Sequence, residues 1–387
     1  MTVYDLDLPD LEARLHNLGE PAYRARQVYA GLWRRAATYE EMTDLPKALR
    51  DRLAAHLPEG MEVLTEREAD NGATRKALLR FGGRHVVETV LMGYPDRVTV
   101  CVSSQAGCAM GCGFCATGQM GLKNNLTAGE IAAQVVWARR AAVRLPATTP
   151  QRVTNVVFMG MGEPMANYRA TRDSITQLLD PEGMNVGARH VIVSTVGVVP
   201  GIRGLAADHP QVGLAVSFHA ATDELRDELV PVNKLWPLPD LERAMAEWRD
   251  ATHRRPSIEW AMIDGTNDSD EQARALSPIS RRLHAHVNLI PLNPTPGWPS
   301  RPSPPARIRR FVKLLDDSGV SVTVRDTRGR EIEAACGQLR WEFETERTGE
   351  PSSAGAGQRR EARGRSATTL PLVEAVEGRF REVEAGI

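Results

Sequence analysis

The stretch Val98-Thr-Val-Cys101-Val-Ser-Ser-Gln-Ala-Gly-Cys108-Ala-Met-Gly-Cys112-Gly-Phe-Cys115 decides both the fold and the chemistry of this chain. Its first part, 98–102, is a short apolar run of the kind that forms a buried strand. Its second part holds three cysteines and is surrounded by Gly107, Gly111, Gly113, Gly118 and Gly121. Because glycine tolerates positive φ, such a loop can fold its backbone tightly around a bulky inorganic group.

The spacing Cys108-x3-Cys112-x2-Cys115 favours an iron–sulfur cluster. Three thiolates suit a four-iron cluster in which each binds one iron, and the fourth iron then stays open to an added ligand. Two alternatives remain at this point. In the first, the three cysteines only pack in the core, which leaves the surrounding glycines unexplained. In the second, they bind a structural zinc with Cys101 as the fourth ligand.

From residue 98 onward, apolar β-rich runs alternate with helical periodicity. Repeated β-α units on a mostly parallel sheet predict an α/β fold, either doubly wound or a full or partial barrel with six or seven units. Thr127 and Glu130 form a capping box at the start of one helix. The predicted strands are Val98–Val102, Val153–Met159, His190–Thr195, Val212–Phe218, Ser257–Met262, Val287–Pro291 and Val320–Val324. The helices named by the same pattern are Thr127–Val143, Leu238–His253 and Asp268–His284.

The residue pattern changes along the chain and predicts four zones. Residues 1–60 show helical periodicity, and residues 61–97 read as strands around the hairpin signal Asp70-Asn71-Gly72. The barrel zone is 98–341. Residues 342–387 are rich in Gly, Ser, Glu and Arg and predict a mobile tail with one short helix near Leu372–Val383.

Composition narrows the class of protein. The chain has 387 residues, 42% hydrophobic and 25% charged, which excludes a disordered protein. The absence of a long apolar run and of a signal-like start predicts a cytoplasmic protein without a membrane span. Five cysteines in a reducing compartment argue against a disulfide scaffold. The net charge of −1 argues against a uniformly basic protein but allows a local basic patch.

The whole run from Cys101 to Gly118 resembles the RlmN/Cfr family of radical S-adenosylmethionine (SAM) RNA adenosine methyltransferases, including the aromatic Phe114 before the last cysteine. The likeness extends from about Pro21 to Leu339 and excludes the tail. It implies a partial (βα)6 barrel of the TIM type, one [4Fe-4S] cluster on Cys108, Cys112 and Cys115, and an N-terminal helical accessory domain that helps to grip RNA.

The resemblance also implies SAM-binding positions at the ends of successive strands. Gly160-Met-Gly162-Glu163-Pro164 matches the motif that contacts the amino end of SAM. Without the resemblance, the stretch from Gly160 to Pro164 would be interpreted as an ordinary β-α turn. The polar residues at the ends of the other strands would be interpreted as capping groups. The positions that match the family are Gly162, Glu163, Ser194, Ser217, Phe218, His219 and Asn293.

Three further residues match the family's catalytic positions. Cys336, in Ala334-Ala-Cys-Gly-Gln338, resembles the cysteine that carries the methyl group, although an isolated cysteine is more often a small buried hydrophobe. Cys101 matches the cysteine that resolves the intermediate by a transient disulfide. Glu88 matches the proton acceptor, although by itself it reads as an edge-strand carboxylate facing water.

The implied reaction uses two SAM molecules per turnover. One methylates the Cys336 thiolate, and a second, at the open iron, supplies the radical that activates this methyl group for addition to C2 of adenine. The substrates implied are an adenosine of 23S rRNA and the adenosine 3′ of the anticodon in tRNA. Flavodoxin or ferredoxin is the implied electron donor, and a monomer is expected. The alternatives are methylation at C8 and a non-catalytic zinc or iron–sulfur RNA-binding protein.

An arginine-rich stretch, Ala22 to Tyr39, holds no acid and interleaves arginines with aromatic residues. Basic residues contact phosphates and aromatic rings stack on bases, which predicts RNA binding. A solvated helix face explains the pattern equally well. The residues concerned are Arg24, Arg26, Arg34, Arg35, Tyr23, Tyr29 and Trp33.

Overall fold

A computed structural model describes residues 2–295 and 298–325 of the chain. Cys336 and the predicted tail at 342–387 lie outside these residues. The strands are β1 (Met61–Ala69), β2 (Thr74–Phe81), β3 (His85–Gly93), β4 (Val98–Cys101), β5 (Gln105–Gly107), β6 (Leu122–Asn125), β7 (Asn155–Phe158), β8 (Val191–Thr195), β9 (Gly213–Ser217), β10 (Ser257–Met262), β11 (His286–Pro291) and β12 (Val322–Val324).

Each of the seven strands predicted from residue 98 onward is present within one or two residues of its expected bounds.

The helices connect these strands and cover the sheet. The helices are α1 (Leu8–Asn17), α2 (Ala22–Tyr29), α3 (Lys47–His56), α4 (Ala116–Gln119), α5 (Ala128–Ala142), α6 (Tyr168–Leu179), α7 (Val199–Asp208), α8 (Asp223–Leu229), α9 (Leu238–Thr252), α10 (Asp270–Arg282) and α11 (Pro305–Asp317).

Ten of the described strands form one sheet in the order β1-β2-β3-β4-β7-β8-β9-β10-β11-β12. The strands from β4 to β12 in this order are parallel, and helices make the six crossovers between them. This confirms a partial barrel of six βα units, to which β12 adds a further parallel strand. The antiparallel strands β1, β2 and β3 extend the sheet on the other side of β4.

Helix α5 begins where the capping box predicted. Thr127 Oγ1 accepts a hydrogen bond from the backbone N–H of Glu130 at 3.2 Å, and a Glu130 carboxylate oxygen accepts one from the N–H of Thr127 at 3.0 Å. The helix packs on β3 and β4. It therefore occupies one face of the sheet and leaves the opposite face of these strands to line the barrel interior.

The N-terminal region is helical, and a buried aromatic cluster holds it together. Trp33 is 1% exposed, and its ring contacts those of Tyr4 and Tyr29 at centroid distances of 5.3 and 6.1 Å. Tyr29 Oη donates a hydrogen bond of 2.5 Å to Asp180, which joins this region to the barrel. Tyr29 and Trp33 are therefore core residues, and the interpretation that they stack on RNA bases is wrong.

Within the described residues, no helix combines the length and the hydropathy needed to cross a membrane.

Truncation of Trp33 tests the aromatic cluster. Trp33→Ala removes a fully buried indole, so we expect a loss of about 3–5 kcal/mol in the free energy of unfolding by urea titration. The control Tyr23→Ala, at a ring that is 55% exposed, should change it by less than about 0.5 kcal/mol. Equal effects of both variants would contradict this packing.

Candidate active site

The cysteine loop leaves the sheet after β4 and is framed by a small two-stranded sheet that sequence patterning missed. β5 and β6 pair antiparallel on either side of the three cysteines, and the N–H of Cys108 donates to the carbonyl of Gly121 at 3.1 Å. Strands of three and four residues are too short to show periodicity. This small sheet closes the loop at its base.

Glycines allow the loop to close, as the sequence suggested. Gly107, Gly111 and Gly121 have positive φ. Gly113 serves a different purpose, because a Cβ added there would collide with the indole of Trp298. Gln119 connects the cysteine loop to the segment before Trp298. Its Nε2 donates hydrogen bonds to the carbonyl of Gly113 at 2.7 Å and to Thr295 Oγ1 at 2.8 Å.

Burial raises the pKa of the thiols of Cys108, Cys112 and Cys115. Charge on Cys115 raises the pKa of the other two further, so the three sulfurs are electrostatic neighbours. Among residues 2–295 and 298–325, no three His, Cys, Asp or Glu side chains are placed to hold a metal ion. Three neighbouring thiols on one loop fit a four-iron cluster, in which each thiolate binds a different iron.

Cys101 lies apart from this set. Burial raises the pKa of its thiol to about 11, and the charges that act on it come from Arg325, Glu88 and Lys76 rather than from the other cysteines. This placement does not support Cys101 as a fourth ligand.

Single cysteine variants separate the cluster ligands from Cys101. We expect Cys108→Ala, Cys112→Ala and Cys115→Ala each to lose iron and sulfide from anaerobically prepared protein, because each removes one thiolate ligand. Cys101→Ala is the matched control and should keep the wild-type iron content and absorbance. Loss of iron from Cys101→Ala would contradict this assignment.

The loop from Gly160 to Pro164 is hydrogen-bonded to the chain that leads into the cysteines. The N–H of Met161 donates to Ser103 Oγ at 2.9 Å, and the N–H of Glu163 donates to Gln105 Oε1 at 2.8 Å. Gly162 has a φ of +99°, and a Cβ added there would lie 2.5 Å from Gln105 Cβ. Glycine is therefore required at this position.

A cavity of about 210 Å³ opens at the carboxyl ends of the parallel strands, where barrel enzymes keep their active sites. Five of the seven predicted SAM-binding residues line it: Gly162, Glu163, Ser194, Ser217 and His219. Phe218 and Asn293 do not. Phe218 is fully buried and its N–H donates to the carbonyl of Glu259 at 3.0 Å, so its side chain belongs to the core.

Three titratable groups that line this cavity have shifted pKa values, and burial raises that of Glu259 although Arg325 lies near it. Burial raises the pKa of Glu163 to about 7, although its carboxylate accepts backbone N–H bonds from Met165 at 3.0 Å and Val196 at 2.9 Å. Burial lowers the pKa of His219 to about 3, so its imidazole is neutral at pH 7. The ring accepts a hydrogen bond from the N–H of Ala261 at 2.9 Å and meets Phe114 of the cysteine loop edge-on.

Arg226 is a site residue that sequence reasoning missed. Its side chain is fully buried and donates hydrogen bonds to the carbonyls of Val196, Ser217 and Phe218 and to Asn233. It thereby ties the ends of β8 and β9, and its charge interacts with Cys112. A lone arginine in the polar run Asp223–Leu229 carries no sequence signal for this position.

Gly162→Ala tests the geometry of this loop. The added Cβ meets Gln105 and forces a residue with a side chain into positive φ, so we expect the affinity for SAM to fall by about tenfold or more in equilibrium binding. Gly265→Ala is the control, because Gly265 also has positive φ but nothing lies within 4 Å of an added Cβ. Unchanged SAM affinity in Gly162→Ala would contradict the placement of SAM at this loop.

Glu88 and Cys101 lie on the interior face of the sheet. Val90 of β3 is paired directly with Lys76 of β2 and with Cys101 of β4, so these side chains share one face, as does Glu88 two residues from Val90. Thr89 points the other way and donates to Gln134 of α5 at 2.8 Å. The expectation of an edge-strand Glu88 facing water is wrong, because β3 lies between two strands and Glu88 is 2% exposed.

The arginine-rich stretch does not form one surface. Arg24 lies over the ring of Tyr23, and Arg26 faces Glu12 at 3.9 Å. Arg34 and Arg35 line a groove of about 860 Å³ together with Arg97, Arg139 and Arg152. This groove lies at the amino ends of β4, β7 and β8, the edge of the sheet opposite the cavity.

A partial parallel barrel with a glycine-rich, three-cysteine loop after its first parallel strand defines a radical SAM enzyme. A crystal structure of a radical SAM methyltransferase from Sphaerobacter thermophilus superimposes on the chain with a TM-score of 0.83 and 50% identity, covering 87% of this chain and 98% of the other. Residues 1–57 match the family described as the ribosomal RNA large subunit methyltransferase N-terminal domain.

Two curated relatives agree with this class. Proteins named probable dual-specificity RNA methyltransferase RlmN are 52% identical over 342 residues in Salinispora tropica and 49% identical over 345 residues in Chloroflexus aurantiacus. Each alignment covers 87% of this chain, and they cover 91% and 92% of those relatives. The chain belongs to the RlmN family and is a radical SAM RNA methyltransferase.

Proposed function

We propose that this enzyme methylates C2 of a specific adenosine in 23S rRNA and of the adenosine 3′ of the anticodon in tRNAs, by a ping-pong reaction through S-methylcysteine at Cys336. The observation that carries the proposal is that Cys101 and Glu88 share one face of the sheet, where Cys101 interacts with Met159 and Arg325 of the cavity lining. The names of the relatives, which cite dual RNA specificity and the ribosomal large subunit, support the two substrates.

Cys108, Cys112 and Cys115 hold the cluster in this proposal, and the lining of the cavity orients SAM. Glu163 and the backbone of Gly162 bind the amino end of SAM, and Ser194, Ser217 and His219 contact it from the next strands. Phe218 and Asn293 support this set from outside the lining. The cavity of about 210 Å³ is smaller than the ~300–1,000 Å³ of ordinary ligand pockets, so it accommodates part of SAM.

When bound, the cluster and SAM supply the one-electron chemistry that activates an unreactive C–H bond. The chain's own groups do the rest. The Cys336 thiolate accepts a methyl group from one SAM, which requires its deprotonated form. After the carbon bound to Cys336 has joined to the base, the radical adduct has to give up one electron, for which a cluster held by Cys108, Cys112 and Cys115 would be the acceptor, and the Glu88 carboxylate accepts the proton that leaves C2.

Cys101 then releases the product. Its thiolate attacks the sulfur of Cys336, so that the S–S bond forms as the S–C bond breaks, and the carbon takes a proton to become the methyl group. The high pKa of Cys101 in the buried site opposes thiolate formation, and the charges of Arg325 and Lys76 favour it. The disulfide has to be reduced before the next turnover.

The remaining parts of the proposal concern partners and organisation. Residues 1–60 serve as the RNA-binding accessory domain, 61–97 as a β-hairpin linker and 98–341 as the catalytic barrel. A flavodoxin or ferredoxin supplies electrons to a cytosolic monomer.

Nucleoside analysis of a strain that lacks this gene tests the function. We expect 2-methyladenosine to disappear from its 23S rRNA and tRNA, and to return with the wild-type gene but not with Cys336→Ala, because no other residue carries the methyl group. Mass spectrometry of digested RNA measures this. Restoration by Cys336→Ala, or loss of 8-methyladenosine instead, would contradict the proposal.

A further inference from the structure

A fully buried lysine lies against the proposed base. Lys76 Nζ is 2.9 Å from Glu88 Oε2, and the two side chains are 0% and 2% exposed. A buried ammonium group is costly unless a carboxylate pairs with it, and lysine is almost never fully buried otherwise. The pair therefore replaces the solvation that both groups lose.

Strand register places this ion pair on the same face of the sheet as Cys101. Lys76, Val90 and Cys101 form one row across β2, β3 and β4. The preceding residue, Arg75, is also nearly buried but points to the other face, where it pairs with Glu66 at 2.8 Å and donates to the carbonyl of Arg144. Two adjacent buried cations thus serve opposite faces of one strand.

Another carboxylate of the same interior shows what burial does without a facing cation. The pKa of Glu163 is raised to about 7 by burial, and only hydrogen bonds from Val196, Thr195 and Met165 oppose the rise. The Glu163 carboxyl group is therefore partly protonated at neutral pH. A protonated carboxyl group cannot accept the proton that the reaction releases.

We propose that Lys76 is a positioning residue that keeps the Glu88 carboxylate ionised and directed into the barrel interior for proton transfer from the substrate. The inference rests on the proposed function. In the step concerned, the C2–H bond of the adduct breaks, its electron pair stays on the purine, and an O–H bond forms at Glu88. Lys76 gains and loses no proton in this step.

The charged and titratable groups that act on Glu88 or on Cys101 beside it come from three other strands or their ends. Lys76 belongs to β2 and Cys101 to β4, and Arg325 follows β12. Arg325 also faces Glu259 of β10 at 3.8 Å. Lys76 is the cation within ion-pair distance of Glu88 among the described residues.

The test compares Lys76→Met, Lys76→Arg and the matched control Arg75→Met in the full chain, prepared anaerobically with its cluster. Three readouts are taken with SAM, reductant and an RNA substrate: iron content, methylation of Cys336 in the absence of RNA, and the decay of the covalent protein–RNA adduct in a single turnover. The last readout covers both proton transfer to Glu88 and the attack by Cys101, and slower decay with deuterium at C2 of the target adenosine identifies the proton transfer to Glu88 as the affected step.

We expect Lys76→Met to keep wild-type iron content and Cys336 methylation and to resolve the adduct about 100-fold more slowly at pH 7. Because removal of the cation disfavours the ionised form of a buried carboxylate, resolution should recover at higher pH, with the acidic side of the pH profile displaced upward by about one unit or more. Lys76→Arg should keep the wild-type dependence of the resolution rate on pH at acidic values. Arg75→Met should resolve the adduct at the wild-type rate even if its melting temperature falls.

Three results overturn the inference: wild-type resolution by Lys76→Met, slow resolution without recovery at high pH, or an equal defect in Arg75→Met. If Lys76→Met does not fold, the pH profile of adduct resolution by Lys76→Arg tests the inference. An upward displacement of the acidic side of this profile contradicts the role of the charge. A wild-type enzyme that forms no 2-methyladenosine and no adduct overturns the proposed function itself, and the role of Lys76 with it.

Discussion

Buried charged groups of this barrel need polar partners, because burial removes their solvation, and the site is built from such contacts. Lys76 pairs with Glu88, Arg226 binds three backbone carbonyls and Asn233, and Glu163 accepts two backbone N–H bonds. An unpaired buried charge costs several kcal/mol or changes its protonation state. Each partner therefore holds a functional group in position.

The same constraint links the sheet to the cysteine loop. Ser103 and Gln105, just after β4, receive the backbone N–H groups of Met161 and Glu163 from the loop that follows β7. Arg226 joins the ends of β8 and β9 and interacts with Cys112. Adjacent strand ends are thus connected by polar contacts, so that the proposed cluster and SAM positions share one rigid edge of the sheet.

Sequence patterning predicted the parallel strands, the hairpin at Asp70–Gly72 and the start of α5, because these depend on local periodicity, turn chemistry and capping. It failed where tertiary packing decides the outcome. Tyr29 and Trp33 read equally well as RNA-stacking or core residues, and only the contact with Tyr4 shows which holds. Glu88 read as solvent-facing because its partner Lys76 is contributed by another strand.

The cysteine motif predicted the cluster loop and its glycines, whereas the role of Arg226 depends on carbonyl groups that no sequence pattern reveals. Family likeness, rather than residue chemistry, singled out Cys101 and Cys336, and the structure adds that Cys101 lies on the interior face with Glu88. The most direct measurement is peptide mass spectrometry of the enzyme quenched after one turnover, with no reductant able to cleave disulfides. The account predicts a Cys101–Cys336 disulfide that forms only when SAM and RNA are both present. Product formation with both cysteines still free would contradict it.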